Sequence, residues 1–207
     1  MKRITAYVLA LVLACSCAVS MAGAYTDVPG GSALASEVEK AVSYGLMNGY
    51  SQDRFGCSDA MTRAQFVVVL TRMMGWQTPS DEETAASITA AMALPKNLSS
   101  QYRSAIACAA AHDVIGQSEA FRPNSPATRA EMAEMLVRAL GLKSCAADAE
   151  KENSLPFTDV SDKKGYIAVA YEIGMTKGLT DTTFAPDRTA TRAQAAAILV
   201  RFCTGAA

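Results

Sequence analysis

The residues best suited to bind a charged group are three arginines that recur in near-identical pentapeptides. Each arginine follows a threonine and precedes an alanine, and the three positions are Arg63, Arg129 and Arg192. A guanidinium is a planar fork that can hold a carboxylate through two parallel hydrogen bonds. The recurrence therefore predicts three related positions for binding an anion.

Two interpretations of these arginines are open. An arginine in the first turn of a helix meets the positive end of the helix dipole, so its recurrence there needs a reason. A bound anion would supply one, because free N–H groups at a helix start already favour negative charge. The alternative is that each arginine pairs with an acid of the adjacent repeat. We favour the anion. Arginines nine residues further on point elsewhere and are expected to be solvated or ion-paired; they are Arg72, Arg138 and Arg201.

The helices that must position these arginines are predicted to start with capping boxes. A threonine stands immediately before each arginine, and a glutamine or glutamate follows three residues after the threonine. The pairs are Thr62 with Gln65, Thr128 with Glu131, and Thr191 with Gln194. The side chain of each residue in such a pair can bond to the backbone N–H of the other. Apolar residues follow at helical spacing, so each helix has one face to bury.

The helices belong to a threefold internal repeat. A phenylalanine stands seven residues before each threonine, and a glycine stands five or six residues before that phenylalanine. These residues are Phe55, Phe121 and Phe184, and Gly49, Gly116 and Gly178. A first helix precedes each glycine loop, and Gly45, His112 and Gly174 are expected to end it in the left-handed conformation. The pattern predicts an all-α fold of three helix–loop–helix units, none large enough to bury its apolar face alone.

The chain start is interpreted as a secretory signal peptide at residues 1–24. A basic start is followed by an apolar run and by small residues before a cleavage site after Ala24. The apolar run is shorter than the ~20 residues that span a bilayer, so no stable membrane span is predicted. A lipoprotein signal with Cys15 as the modified residue is the alternative.

The rest of the chain is predicted to divide into three consecutive segments. Repeat 1 occupies residues 25–79, repeat 2 occupies 80–142, and repeat 3 occupies 143–207. Repeat 2 is preceded by a linker helix, with Ser80 and Glu83 as its capping box. A polar, alanine-rich linker opens the third segment.

Composition narrows the possible functions. Half of the residues are hydrophobic, 19% are charged and the net charge is −1, which indicates a globular protein without the basic surface of a nucleic-acid binder. The sequence shows no nucleophile–base pair, phosphate-binding loop or metal-ligand cluster, so we expect no catalysis and no cofactor. Four cysteines outside the leader are interpreted as free buried thiols, with one disulfide as the alternative: Cys57, Cys108, Cys145 and Cys203.

The repeat resembles the S-layer homology (SLH) family. That family's repeat carries a Phe-Asp-Val-like opening, a glycine-rich middle ending in Phe-x-Pro, and a Thr-Arg-Ala-Glu segment. The opening appears here as Tyr25-Thr26-Asp27-Val28 and as Phe157-Thr158-Asp159-Val160. The second repeat has no recognisable opening and one residue fewer between Gly116 and Phe121. The tryptophan usual near the first helix is missing from all three copies.

The resemblance implies a pseudo-threefold prism with a shared helical core. It also implies non-covalent binding of a secondary cell-wall polysaccharide, often carrying pyruvate ketals and linked to peptidoglycan, in grooves between neighbouring repeats. The implied ligand contacts are Arg63, Arg129 and Arg192, and the implied groove-lining residues are Asp27, Asp159, Gly49, Gly116 and Gly178. Because the second repeat departs from the pattern, the grooves are expected to be unequal, with Arg129 contributing less to binding than Arg63 and Arg192.

The signal peptide and the resemblance together predict a secreted, non-enzymatic protein that anchors itself at the cell wall. A self-associating structural subunit of a surface layer is the main alternative. The sequence offers little support for a surface hydrolase, because no room remains beside the repeats for a catalytic domain, and little for a lipoprotein.

Overall fold

The computed structural model of the protein describes residues 25–77, 92–116, 121–152 and 155–204, together with Ile88 and Ala90. Within this part of the chain there are seven α-helices and no β-strand, which confirms the all-α prediction there. The helices are α1 (Ala33–Ser43), α2 (Arg63–Met73), α3 (Ser100–Ala111), α4 (Arg129–Ala139), α5 (Lys143–Glu152), α6 (Lys164–Glu172) and α7 (Arg192–Thr204). The predicted signal peptide and the predicted cap at Ser80 and Glu83 lie outside the described residues. None of the described helices is long and apolar enough to cross a membrane.

Capping boxes start the second helix of every repeat, as predicted. The threonine hydroxyl accepts a hydrogen bond from the backbone N–H three residues later, at 3.2 to 3.3 Å in all three copies. The side chain of that later residue accepts the threonine N–H in return, at 2.9 to 3.1 Å. These contacts need only residues three apart, so they form wherever the sequence places them.

The first helices end in left-handed turns, and one of these turns was predicted at the wrong residue. Gly45 has a φ of +68° and Gly174 a φ of +74°, as expected for a glycine that ends a helix. In the second repeat His112 is instead the last cap residue, with a φ of −90°, and the left-handed residue is Asp113, with a φ of +57°. Aspartate tolerates this conformation better than most residues because its short polar side chain can bond locally.

The polar stretch predicted as a linker between the second and third repeats is the helix α5. Alanine, lysine and glutamate are strong helix formers, and they make up most of this segment. The helix packs closely against α6, because a Cβ atom on Gly165 would lie only 1.8 Å from the backbone oxygen of Ala146. Glu150 accepts a hydrogen bond from the Gly165 N–H at the start of α6, which has no side-chain cap of its own.

The chain forms two compact units, and each contains pieces of more than one repeat. One unit joins the described residues up to Ala60 to those from Ala190 onward, and in it α1 packs against α7. The other unit spans Met61–Thr189, and in it α2 packs against α3 while α4 packs against α6. The second helix of each repeat thus packs against the first helix of the next, and the last packs against the first. Each repeat therefore packs at least one of its described helices against a helix of another repeat.

The structure has four free cysteines among its described residues, and they differ in burial: Cys57, Cys108, Cys145 and Cys203. Cys57 and Cys108 are buried, and burial raises the pKa of both thiols. Cys203 is half-buried. Cys145 is exposed on α5, so the prediction that it is buried was wrong.

Candidate functional site

The two aspartates of the predicted openings hold the glycine loops of their own repeats. The Asp27 carboxylate accepts backbone N–H bonds from Phe55, Gly56 and Cys57 at 2.7 to 2.8 Å. The N–H groups converge because Gly56 has a φ of +81°, which turns successive N–H groups towards one side. Asp27 therefore fixes the loop that precedes the next helix.

The third repeat repeats this arrangement with a different residue at the turn. Asp159 accepts backbone N–H bonds from Phe184 and Ala185 at 2.8 and 2.7 Å. Ala185 occupies the position of Gly56 and has a φ of +58°, so an alanine here adopts a conformation that normally favours glycine. The turn therefore forms in the third repeat without a glycine, and the two bonds to Asp159 hold it.

Both aspartates have a pKa below the ordinary value of 3.8. At Asp27 partial burial pushes the pKa upward, but the three backbone N–H bonds outweigh it and the net pKa is lowered. At Asp159 the N–H bond from Phe184 is the main cause of the lowered pKa, and the charge of Arg129 adds to it. Both carboxylates are therefore ionised and engaged with their own loops at neutral pH.

Two of the predicted arginines bind the carbonyl groups of the same loops. Arg192 donates from Nε to the Phe55 oxygen at 3.0 Å and from Nη2 to the Asn48 oxygen at 2.7 Å. Its guanidinium lies over the Phe55 ring, 4.9 Å from the ring centre, and the residue is only 6% exposed. Arg192 and Asp27 thus grip the C=O and the N–H of one phenylalanine.

Arg129 makes the matching contacts in the third repeat. It donates from Nε to the Phe184 oxygen at 2.8 Å and from Nη2 to the Lys177 oxygen at 2.7 Å. Its guanidinium lies 4.5 Å from the centre of the Phe184 ring, and the residue is 7% exposed. Arg129 thus binds the loop of the third repeat, and Arg192 binds the loop of the first repeat. We call these two residues the clamp arginines.

Arg63 has a different partner. Its Nε and Nη2 both donate to the Glu131 carboxylate, with the Nε bond at 3.0 Å. Glu131 also accepts the Thr128 N–H, so one carboxylate caps α4 and binds an arginine from the preceding repeat. Burial pushes the Glu131 pKa upward, but the bonds from Arg63 and Thr128 and the nearby positive charges together outweigh it, and the net pKa is lowered. This pair is the arrangement considered as the alternative to a bound anion.

The helix starts do not offer the free N–H groups that the anion argument assumed. In all three copies the first two N–H groups donate to loop carbonyls, as at Arg192, whose N–H binds the Asp59 oxygen at 2.8 Å. The third N–H is bound by the threonine cap. That part of the sequence argument was wrong, because the neighbouring loop already fills the place expected for an anion.

The predicted groove glycines allow close packing of the loops. A Cβ atom on Gly49 would lie 2.4 Å from a Tyr25 ring carbon, and one on Gly178 would lie 2.3 Å from the Thr180 oxygen. Neither position can carry a side chain without moving the loop. Gly116 is exposed, and residues 117–120, which follow it, lie outside the described residues.

Sequence reasoning missed two residues at the surface of the first loop. Tyr50, directly after Gly49, is 48% exposed, and the Arg192 guanidinium lies 4.3 Å from its ring centre. Arg54 lies over the same ring at 5.3 Å. An aromatic residue and an arginine within one glycine loop were a visible signal in the sequence, but the pair does not recur in the third repeat, where Leu179 and Thr183 stand at these positions.

Comparison with known families agrees with the repeat pattern. The model of the S-layer homology domain matches residues 24–67, 96–133 and 156–196, which together make up more than half of the chain. The chain belongs to the S-layer homology family. The second SLH match begins at residue 96, after Leu94-Pro95. The position at which the other two repeats carry their aspartate opening therefore lies outside the second match.

Curated relatives match the chain over three quarters of its length. An endoglucanase of Bacillus sp. (strain KSM-635) is 32% identical over 74% of the chain and 16% of the endoglucanase. A cell surface protein of Thermoanaerobacter kivui is 28% identical over 75% of the chain and 18% of that protein. An amylopullulanase of Thermoanaerobacterium thermosulfurigenes is 27% identical over 78% of the chain and 8% of that enzyme. The chain therefore spans less than a fifth of the length of these relatives.

Proposed function

We propose that this SLH chain is a non-enzymatic, exported anchor that binds a secondary cell-wall polysaccharide at the cell surface. The observation that carries the proposal is the presence of three SLH matches in order along the chain. Similarity to a protein named as a cell surface protein supports the location. The two enzyme names belong to proteins of which the match covers 16% and 8%, so they transfer no catalytic activity to the repeats.

The binding grooves, in this proposal, are the places where a glycine loop meets a helix start of another repeat. Arg192 with the Phe55 loop forms one such place, and Arg129 with the Phe184 loop forms another. The aspartate and arginine contacts hold these loops in position before any ligand arrives. A preformed site loses little conformational entropy on binding, which favours affinity.

The position of Arg63, rather than that of Arg129 as the sequence suggested, is expected to bind an acidic sugar most weakly. Its guanidinium is already neutralised by Glu131 through two hydrogen bonds. A ligand carboxylate would have to displace Glu131 and leave a half-buried charge without its partner, which is costly.

A co-sedimentation experiment tests the proposed function. The chain from Tyr25 onward is mixed with cell-wall sacculi of the source organism, either intact or chemically stripped of their secondary polysaccharide. We expect saturable pelleting with intact sacculi and none with stripped sacculi. Equal pelleting with both preparations, or with neither, contradicts the proposal.

Sedimentation velocity of the chain alone distinguishes the structural-subunit alternative. An anchor is expected to sediment as a discrete species whose size does not change with protein concentration. A surface-layer subunit that self-associates would instead form larger species as its concentration rises, and it would pellet without any wall present.

A further inference from the structure

Tyr50 is an exposed aromatic ring held in a fixed position. It is 48% exposed, whereas the neighbouring Phe55 is fully buried. One edge of the Tyr50 ring rests on Gly56, where a Cβ atom would lie 2.4 Å from the ring, and the buried Arg192 guanidinium lies 4.3 Å from the ring centre. An amphipathic ring that is rigid before binding can gain contact area at little entropic cost.

Arg54 places a reachable positive charge beside this ring. Its guanidinium carbon lies 5.3 Å from the Tyr50 ring centre, and its side chain is 55% exposed. The backbone fixes the pair, because the Tyr50 N–H donates to the Arg54 oxygen at 2.8 Å. Arg192, by contrast, is 6% exposed, and its Nε and Nη2 already donate hydrogen bonds to the loop carbonyls.

The ion pair of Arg54 is of a kind that another carboxylate can replace. Nη2 of Arg54 lies 2.7 Å from Oδ2 of Asp59, and the Asp59 side chain is 41% exposed. Exposed ion pairs contribute little net free energy because water competes for both partners. An incoming carboxylate can therefore take the place of Asp59 without leaving a buried charge behind.

The matching positions of the third repeat carry neither feature. Leu179 stands where the first repeat has Tyr50, and Thr183 stands where it has Arg54. The backbone is the same there, since the Leu179 N–H donates to the Thr183 oxygen at 2.8 Å. The two loops thus share a frame and differ in the side chains that they present to solvent.

We propose that Tyr50 and Arg54 form a subsite for an acidic pyranose, with the apolar face of the sugar on the Tyr50 ring and its carboxylate on Arg54. This inference rests on the proposed function and names the chemistry of the unit bound at the first loop. The buried Arg192 guanidinium packs against the Tyr50 ring, 4.3 Å from its centre, and Arg54 makes the charge contact with the ligand.

The test uses the chain from Tyr25 onward and intact sacculi of the source organism, and each variant installs the residue of the third repeat. Arg54→Thr should weaken binding about tenfold or more, because a hydrogen bond between two charged groups is lost. Tyr50→Leu should weaken binding several-fold, and Tyr50→Phe, which keeps the ring, should bind as the unchanged chain does. Arg72→Thr, which removes an exposed arginine from α2 outside the glycine loops, is the matched control and should leave binding unchanged.

A second arm separates the two contacts. When the carboxyl groups of the sacculi are amidated, Arg54→Thr should lose its penalty, whereas Tyr50→Leu should keep it. Thermal melts of every variant establish whether folding is unchanged. Because Arg54 is exposed, Arg54→Thr should remain folded, so its result decides the test even if Tyr50→Leu unfolds. If Arg54→Thr binds intact sacculi as tightly as the unchanged chain, the subsite is wrong. If the unchanged chain does not distinguish intact from stripped sacculi, the proposed function fails instead.

Discussion

In the first and third repeats an aspartate and an arginine bind the N–H and the C=O of the same phenylalanine, whereas the second repeat is built differently. The paired contacts are those of Asp27 and Arg192 on Phe55, and those of Asp159 and Arg129 on Phe184. Both of these phenylalanines are fully buried, and Phe121 of the second repeat is only half-buried. The second repeat has no aspartate opening, and the arginine that precedes it binds Glu131 instead.

The comparison indicates that one residue determines which acceptor each of the three arginines binds. The capping-box residue of the following repeat is Glu131 for Arg63, but it is a glutamine for the other two arginines. A bond from a guanidinium to a carboxylate is about twice as strong as one to a neutral acceptor. Where the glutamate is present it captures the arginine, and where it is absent the loop carbonyls do.

The largest expected effect comes from removing Arg192, which binds the loop of the first repeat, together with the helix α7 that it begins. A chain that ends at Thr189 lacks α7 and Arg192, so α1 loses the helix it packs against and the Phe55 loop loses two hydrogen bonds. Hydrogen exchange measured by mass spectrometry should show loss of protection throughout residues 25–60 and retention within 61–189. Unchanged protection of α1 would contradict the division into these two units.

Single clamp substitutions should have the next largest effect. Arg192→Ala and Arg129→Ala should each lower the free energy of unfolding by about 2–3 kcal/mol, because two loop carbonyls lose their buried donor. Urea denaturation measures this loss. Arg72→Ala, at an exposed position on α2, is the matched control and should change stability by less than about 0.5 kcal/mol. Equal effects at all three sites would remove the distinction between clamp and surface arginines.

Glu131→Gln gives the second repeat the capping residue of the other two. The glutamine can still cap α4, but Arg63 loses its charged partner, so we expect a loss of about 1–2 kcal/mol at pH 7. The Glu131 pKa is below its ordinary value of 4.5 in the folded protein. Its contribution is therefore complete above about pH 5 and is lost as the pH falls through the lowered pKa.

Urea denaturation at pH 7 and at pH 3 measures that dependence. The difference in stability between the unchanged chain and Glu131→Gln should be smaller at pH 3, because protonated Glu131 no longer attracts Arg63 as a charge. Gln65→Glu, which makes the reverse change in the first repeat, serves as the comparison variant. A stability difference that is the same at both pH values would show that the ion pair contributes nothing.

The smallest expected effect concerns the ends of the first helices. Asp113→Gly places a glycine at the left-handed position, as in the first and third repeats, and should stabilise the protein by about 0.5–1 kcal/mol. The gain is reduced by the loss of exposed ion pairs from Asp113 to Lys143 and Arg138, which contribute little. Thermal melts should show Gly45→Asp with the opposite sign. If both changes destabilise, the ion pairs of Asp113 outweigh its backbone strain.

Local contacts explain which parts of the structure could be predicted from the sequence. The capping boxes and the turns at Gly45 and Gly174 involve residues at most four or five apart, so their pattern is visible in one stretch of chain. The left-handed turn was predicted at His112, one residue before its actual position at Asp113. His112 still belongs to the helix end, and no apolar residue there marks where the helix stops. The helix α5 was missed because its strong helix formers were interpreted as a polar linker.

The sequence by itself determined three repeats, their capped helices and the arginines that mark them, because each of these features is encoded within a few neighbouring residues. Only the tertiary structure decided what the arginines bind. Arg192 reaches the Asn48 oxygen, which lies 144 residues away along the chain, and Arg63 reaches Glu131, which lies 68 residues away. A guanidinium pairs with whichever acceptor folding brings within about 3 Å, and that choice depends on which helix packs against which loop.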